Sequence, residues 1–291
     1  MNKSVYLFVL GQKWSGKALV TAILLLFATA YSPSTHRTSL LQTGQTVYLL
    51  KSKIPLAHGT FTTDNLQNVY VWSHSSLKKL NAAGKLLYNY DNRSYGDITS
   101  LDVTDPMKVM VFYKNFPEVV FLDNTLSMNG SPINPGQLGF PLTTLACLSH
   151  DNGVWLYDAQ NMQLVRLGLD MNIKQQTGNL MQLLGFPLDP DVLMEYNDYV
   201  YLNDTAQGIL EFDEFGTYYR TIPVNGLKSF EVRDNDLYYT KSNRLHTFHL
   251  NTIMEDETPL PDSLSGMARV EKNLLFEQYN DTIRVYEIKK S

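Results

Sequence analysis

Asn68-Val69-Tyr70-Val71-Trp72, then Ser76-Leu77-Lys78-Lys79-Leu80-Asn81-Ala82-Ala83-Gly84, reads as one apolar strand, a turn, and a second strand that ends in another turn. β-branched and aromatic side chains fill the first run, and Ala83-Gly84 supplies turn chemistry at the end. The same unit recurs at residues 108–126, 153–171, 199–216, 236–252 and 273–290. Its first strands begin near Val69, Val109, Val154, Val200, Leu237 and Leu274, and successive starts lie 40, 45, 46, 37 and 37 residues apart. That period matches the length of one four-stranded propeller blade. The expected fold is all-β, a six-bladed β-propeller.

Each unit also has a candidate innermost strand just upstream, at residues 59–62, 98–103, 142–148, 192–195, 230–232 and 267–270. Small and hydroxyl residues recur in them, as suits strands crowded around a central axis. The sixth unit runs out near Ile288 before it can supply an outer strand. Residues 45–54, with Val47-Tyr48-Leu49-Leu50, are expected to add that strand and close the ring, which removes free sheet edges.

The 291 residues are 44% hydrophobic and 18% charged, enough apolar material for a sizeable core and no signature of disorder. No linker divides the chain after about residue 60, so the expected organisation is residues 1–30 as a targeting segment, 31–57 as a segment carrying the ring-closing strand, and 58–291 as the repeats. Lys3, Lys13 and Lys17 precede an apolar run over residues 18–28, and Ala28-Thr29-Ala30 has the small-x-small spacing of a signal cleavage site. That run is shorter than the ~20 residues of a spanning helix. A cleaved signal peptide is the expectation and an uncleaved signal anchor its alternative. Both export the propeller, and only the second attaches it to a membrane.

Removing those three lysines takes the formal charge from −5 to −8. With no basic stripe to neutralise phosphates, nucleic acid is not an expected partner. Cys147 is the only cysteine, within Leu145-Ala146-Cys147-Leu148, so no internal disulfide can form. An exported protein without disulfides fits a bacterial periplasm or cell envelope, and Cys147 itself reads as a small buried apolar residue. Gly11-Gln12-Lys13-Trp14-Ser15-Gly16-Lys17 fits the spacing of a phosphate-binding loop, but Ala18 stands where the magnesium-holding hydroxyl is needed. Nucleotide binding is therefore not expected.

The phrase Asp64-Asn65-Leu66-Gln67-Asn68-Val69-Tyr70-Val71, followed by Leu77 to Lys85, resembles the blade pattern of six-bladed propellers of the NHL and YncE-like kind. Residues 203–216 and 225–245 echo it weakly, and Gln67 stands where the pattern has glycine. Trp-Asp blade endings are absent, which disfavours the WD40 class. The resemblance spans residues 58–288 and implies fold far more than activity.

Propellers with hydrolytic or lyase activity place ligands at one mouth of the channel, often with calcium. Asp102, Asp191, Glu195, Asn197, Glu231 and Asp236 are the candidates for such a mouth, although acids of this kind also cap turns and strand ends. His246 and His249 sit three apart in an expected strand, on opposite faces, and cannot form a metal pair. Ser149-His150-Asp151 is adjacent in sequence, and adjacent residues do not converge as a catalytic triad does. Tyr90, Tyr95 and Tyr196 lie beside turns and are candidates for stacking on carbohydrate.

Two functions of different class follow. The first is a non-enzymatic propeller that presents a rigid surface to an envelope protein or polymer, with no cofactor. The second is a calcium-dependent hydrolase or lyase acting on a lactone or sugar derivative.

Overall fold

A computed structural model of the chain describes residues 46–262 and 265–290. The signal-like segment and the Gly11 to Lys17 run lie outside those residues. The fold is a ring of six antiparallel blades. The first strand, β1 (Thr46–Pro55), belongs to the last blade. Blade 1 is β2 (Thr60–Thr63), β3 (Val69–Ser73), β4 (Ser76–Leu80) and β5 (Leu86–Asp91). Blade 2 has three regular strands, β6 (Ser100–Asp102), β7 (Lys108–Tyr113) and β8 (Glu118–Asp123). Its fourth position is taken by a returning segment that touches β8 only through single bridges, Val119 to Ile133 and Leu122 to Met128. Pro132 and Pro135 flank that contact and lack the N–H a regular ladder needs.

Blade 3 is β9 (Thr143–Leu148), β10 (Val154–Asp158), β11 (Gln163–Leu167) and β12 (Ile173–Gln176). A single helical turn, α1 (Leu180–Leu184), capped by Asn179 and stopped by left-handed Gly185, leads to the next blade. Blade 4 is β13 (Pro190–Tyr196), β14 (Tyr199–Asp204), β15 (Gly208–Asp213) and β16 (Tyr218–Ile222). Blade 5 is β17 (Glu231–Arg233), β18 (Asp236–Lys241), β19 (Arg244–His249) and β20 (Met254–Pro259). Blade 6 is β21 (Ser265–Glu271), β22 (Leu274–Tyr279) and β23 (Thr282–Lys290), with β1 outermost.

β1 pairs antiparallel with β23 from Thr46 opposite Lys290 to Pro55 opposite Thr282, with one bulge near Ser52. The ring therefore closes by the strand expected from residues 45–54, and the inner strands fall where the sequence placed them. Among the described residues, no helix is long and apolar enough to cross a membrane.

The core is divided by the blades. Six clusters of buried side chains occupy the six seams, each drawing residues from two neighbouring blades. At the seam of blades 3 and 4, Trp155, Tyr157, Leu164, Leu202, Leu210 and Phe212 are fully or almost fully buried. Cys147 lies in the same cluster, and burial raises its thiol pKa well above the ordinary range. It packs as an apolar residue.

Candidate binding face at the channel mouth

Because the inner strand of every blade runs the same way along the axis, the C-terminal ends of β2, β6, β9, β13, β17 and β21 gather at one mouth of the channel. The central cavity has a volume of about 560 Å³ and is lined by side chains such as Phe61, Thr62, Ser100, Ala146, Met194 and Val232. At the mouth, some polar side chains brace their own turns, as Asp64 does for Leu66, Asn68 and Tyr70, and others reach across a seam.

Between blades 2 and 3, Asp102 at the end of β6 accepts the Leu148 N–H at 2.8 Å, while Thr104 donates its N–H and hydroxyl to the other oxygen. Burial pushes the Asp102 carboxyl above its ordinary range, and these bonds oppose that shift. Lys108 adds a bond from its ammonium to the Asn152 carbonyl at 2.8 Å. Between blades 3 and 4, Glu195 accepts the His150 N–H at 2.8 Å and stands 2.6 Å from His150 Nδ1. Its second oxygen accepts the indole N–H of buried Trp155. Between blades 4 and 5, Asp234 N–H donates to the Tyr196 hydroxyl and Asn197 Nδ2 donates to the Asp234 carbonyl.

The remaining seams use arginine. Arg233 on β17 places one nitrogen 2.9 Å from Glu271 on β21 and another 2.8 Å from Glu231. Arg269 lies 3.9 Å from Glu231. Between blades 6 and 1, Thr63 donates to Glu271 at 2.8 Å, and Gln67 donates to the Glu271 carbonyl. Gln67 holds φ at +67°, the left-handed conformation in which the blade pattern has glycine, and its amide tethers the two blades. Burial and the nearby Glu231 charge raise the Glu271 carboxyl to about 7.

The six sequence candidates thus divide. Asp102, Glu195, Glu231 and Asn197 are at this mouth; Asp102, Glu195 and Asn197 are engaged across seams, and Glu231 lies against Arg233 through one oxygen. Asp191 sits near the start of β13, at the other end of the channel, where burial and the charges of Asp189 and Asp204 raise its carboxyl. Asp236 opens β18 and pairs with His249 at 2.6 Å. His246 stacks on Tyr239 and bonds Glu255, so the two histidines make separate contacts. Tyr90 is buried with its hydroxyl against Tyr113, and Tyr95 packs on Tyr113, which removes both as carbohydrate platforms.

Sequence reading did not identify Glu271, Arg233 and Arg269, which complete the polar cluster, or the partnership of His150 with Glu195. Glu271 is the residue after an expected inner strand, at the same end of its blade as Asp102 and Glu195. The arginines gave no signal because nothing in a single sequence shows which strand ends meet. An acid on the axis suited to calcium needs free oxygens. Those of Asp102, Glu195 and Glu271 already accept N–H, hydroxyl or guanidinium donors, whereas Glu231 has Oε1 against Arg233 and Oε2 buried without a hydrogen-bond partner.

The same face carries large exposed apolar side chains in its turns. Leu66 precedes β3, Met107 precedes β7, Leu169 follows β11, Phe215 follows β15 and Ile253 follows β19; all five are more than half exposed.

No family model matches the chain, and no curated protein sequence matches it. Solved structures do. Virginiamycin B lyase from Staphylococcus aureus superposes with a TM-score of 0.56 at 12% identity, over 83% of this chain and 99% of that one. A chain of the mitotic checkpoint complex superposes at 0.58 with 9% identity, over 99% of each. BamB from Moraxella catarrhalis reaches 0.49 at 10% identity, over 83% of this chain and 100% of that one. At these identities the likeness is one of fold.

Proposed function

We propose that the chain is an exported, non-enzymatic propeller that offers its mouth face to a protein or polymer partner in a bacterial cell envelope. The observation that carries this reading is the commitment of Asp102, Glu195 and Glu271 to cross-blade bonds. Asp102 and Glu195 hold blades together, and a group so held is poorly placed to take protons from a substrate. A rigid polar ground with one exposed apolar side chain on each of five blades is the pattern of a partner surface, where a few apolar anchors sit among polar neighbours. Export rests on Lys3, Lys13, Lys17 and the Ala28-Thr29-Ala30 site.

The test is capture from envelope extracts with the wild-type chain and with a Leu66→Ser, Met107→Ser, Phe215→Ser variant. A partner retained by the first and lost by the second, at equal melting temperature, is the expected result. Equal capture by both removes the mouth face from the proposal, and capture of nothing removes the scaffold reading.

One observation favours a second reading, a hydrolase or lyase acting on a lactone or sugar derivative. Glu271 titrates near neutrality beside Glu231 in a cavity of about 560 Å³, as a general acid or base does. Lactone turnover that follows a single titration near pH 7 and is abolished in Glu271→Gln would replace the scaffold reading with this one.

A further inference from the structure

We propose that His150, Asp198 and Glu214 form a binding site for one divalent transition cation of the zinc class, on the mouth face at the seam of blades 3 and 4. None of the three belongs to the axial cluster. The site is built by three turns whose local chemistry fixes them. His150 lies in the turn from β9 to β10, where Asn152 is left-handed at φ +66° and Gly153 passes the Leu167 carbonyl so closely that a Cβ would stand 2.1 Å from its oxygen. Asn197 and Asp198 are the two-residue link between β13 and β14, both left-handed at φ +48° and +65°, the geometry of a tight hairpin that lifts Asp198 to the tip. Glu214 is held by the Asp213 side chain, which accepts the N–H groups of Phe215 and Thr217.

The histidine is prepared from behind. The Glu195 side chain is only 3% exposed, and its oxygens face the His150 backbone N–H, the Trp155 indole N–H and His150 Nδ1. A buried carboxylate in that position requires a donor at Nδ1, so in the neutral ring it is Nε2 that presents its lone pair outward. This is the carboxylate–histidine pairing that orients metal-binding imidazoles and raises their basicity. Nε2 in turn stands 3.4 Å from Glu214 Oε2. Two ligand atoms on one tetrahedral zinc, with bonds of ~2.0–2.1 Å, are separated by about 3.3–3.4 Å. The spacing is thus long for a strong hydrogen bond and right for two ligands of a shared cation.

Ligand atoms of all three residues lie within 4.8 Å of one another. Asp198 needs a small inward rotation at an exposed hairpin tip to complete the set. One imidazole and two carboxylates, without a thiolate, suit zinc and its neighbours in the first transition row, whereas calcium gains nothing from the nitrogen. Three protein ligands leave a fourth position for water, the arrangement of an open zinc site. A separate cavity of about 250 Å³, lined by Lys108, His150, Asn152, Glu195 and Asn197, adjoins the histidine.

The test uses the full chain, stripped with chelator and titrated with cobalt(II) by visible absorption, then with zinc(II) in competition. One equivalent is expected to bind. Glu214→Gln and Asp198→Asn, both at solvent-facing turns, should each weaken it at least about tenfold while leaving the melting temperature in chelator unchanged. Glu195→Gln should weaken it about 10–100-fold without touching a ligand, because the amide can donate to Nδ1 and drive the ring proton to Nε2. Absence of saturable binding, or binding unchanged in Glu214→Gln, overturns the proposal and leaves His150 and Glu214 as an ion pair.

Discussion

The seam between blades 3 and 4 and the seam between blades 5 and 6 join equivalent edges of equivalent sheets by different physics. At the first, eleven buried apolar side chains interlock, Trp155 and Phe212 among them. At the second, the buried apolar set is Leu245, Leu260, Leu275 and Tyr286, and charge makes up the difference. Arg284 meets Asp262 at 2.6 Å, the Tyr286 hydroxyl donates to the same carboxyl, and Arg233 and Arg269 meet Glu271 and Glu231. Apolar packing gains with every buried methylene, whereas a half-buried ion pair returns much of its attraction to desolvation. The first seam is therefore the rigid side of the ring and the second its adaptable side.

The largest expected effect comes from removing the strand that lets both seams exist in one closed ring. Deleting residues 46–55 leaves the β23 edge open and empties the seam that Ile54 fills, so unfolding should lose cooperativity or the Tm should fall by roughly 10 °C or more. An unchanged Tm would mean the ring does not depend on closure.

Next in size is the direct contrast between seams. Phe212→Ala should cost about 3–5 kcal/mol and Leu245→Ala about 2 kcal/mol, measured by denaturant unfolding. Equal costs would erase the distinction.

A further expected effect is in pH. Because the Glu271 carboxyl is raised in the fold to about 7 from 4.5, the folded state holds the proton more tightly. Its contribution is fully present below about pH 4.5 and is lost as pH rises through about 7. Glu271→Gln should remove that slope from a Tm profile over this window. A profile with the same slope in the variant would place the titration elsewhere.

The strands were legible because hydrophobic alternation and turn residues are local signals that six repeats reinforce. The closing strand was legible for a subtler reason: a sixth unit that runs out of chain needs a partner from elsewhere, and residues 47–50 were the remaining β-favouring run. Blade 2 departs from four regular strands through Pro132 and Pro135, whose missing N–H groups break a ladder that the spacing alone implied. The candidate site was legible only in part. Asp102, Glu195 and Glu231 stood at strand ends and were visible as acids, but whether an acid is free or occupied depends on Leu148 N–H, His150 or Arg233, each from a strand tens of residues away. His150 reads in the sequence as a member of a local triplet, and its partner is a carboxylate on the next blade.

The pairing of Thr46 with Lys290 puts the two ends of the closing ladder side by side, at one end of a single antiparallel strand pair. A load drawn between those ends pulls along the inter-strand hydrogen bonds, which lie perpendicular to the strands. The bonds then break one after another, as in a zipper, and never share the force. The ring is closed by a ladder of nine paired positions, yet to a mechanical pull on the two ends of that ladder it offers a seam that opens from the first bond.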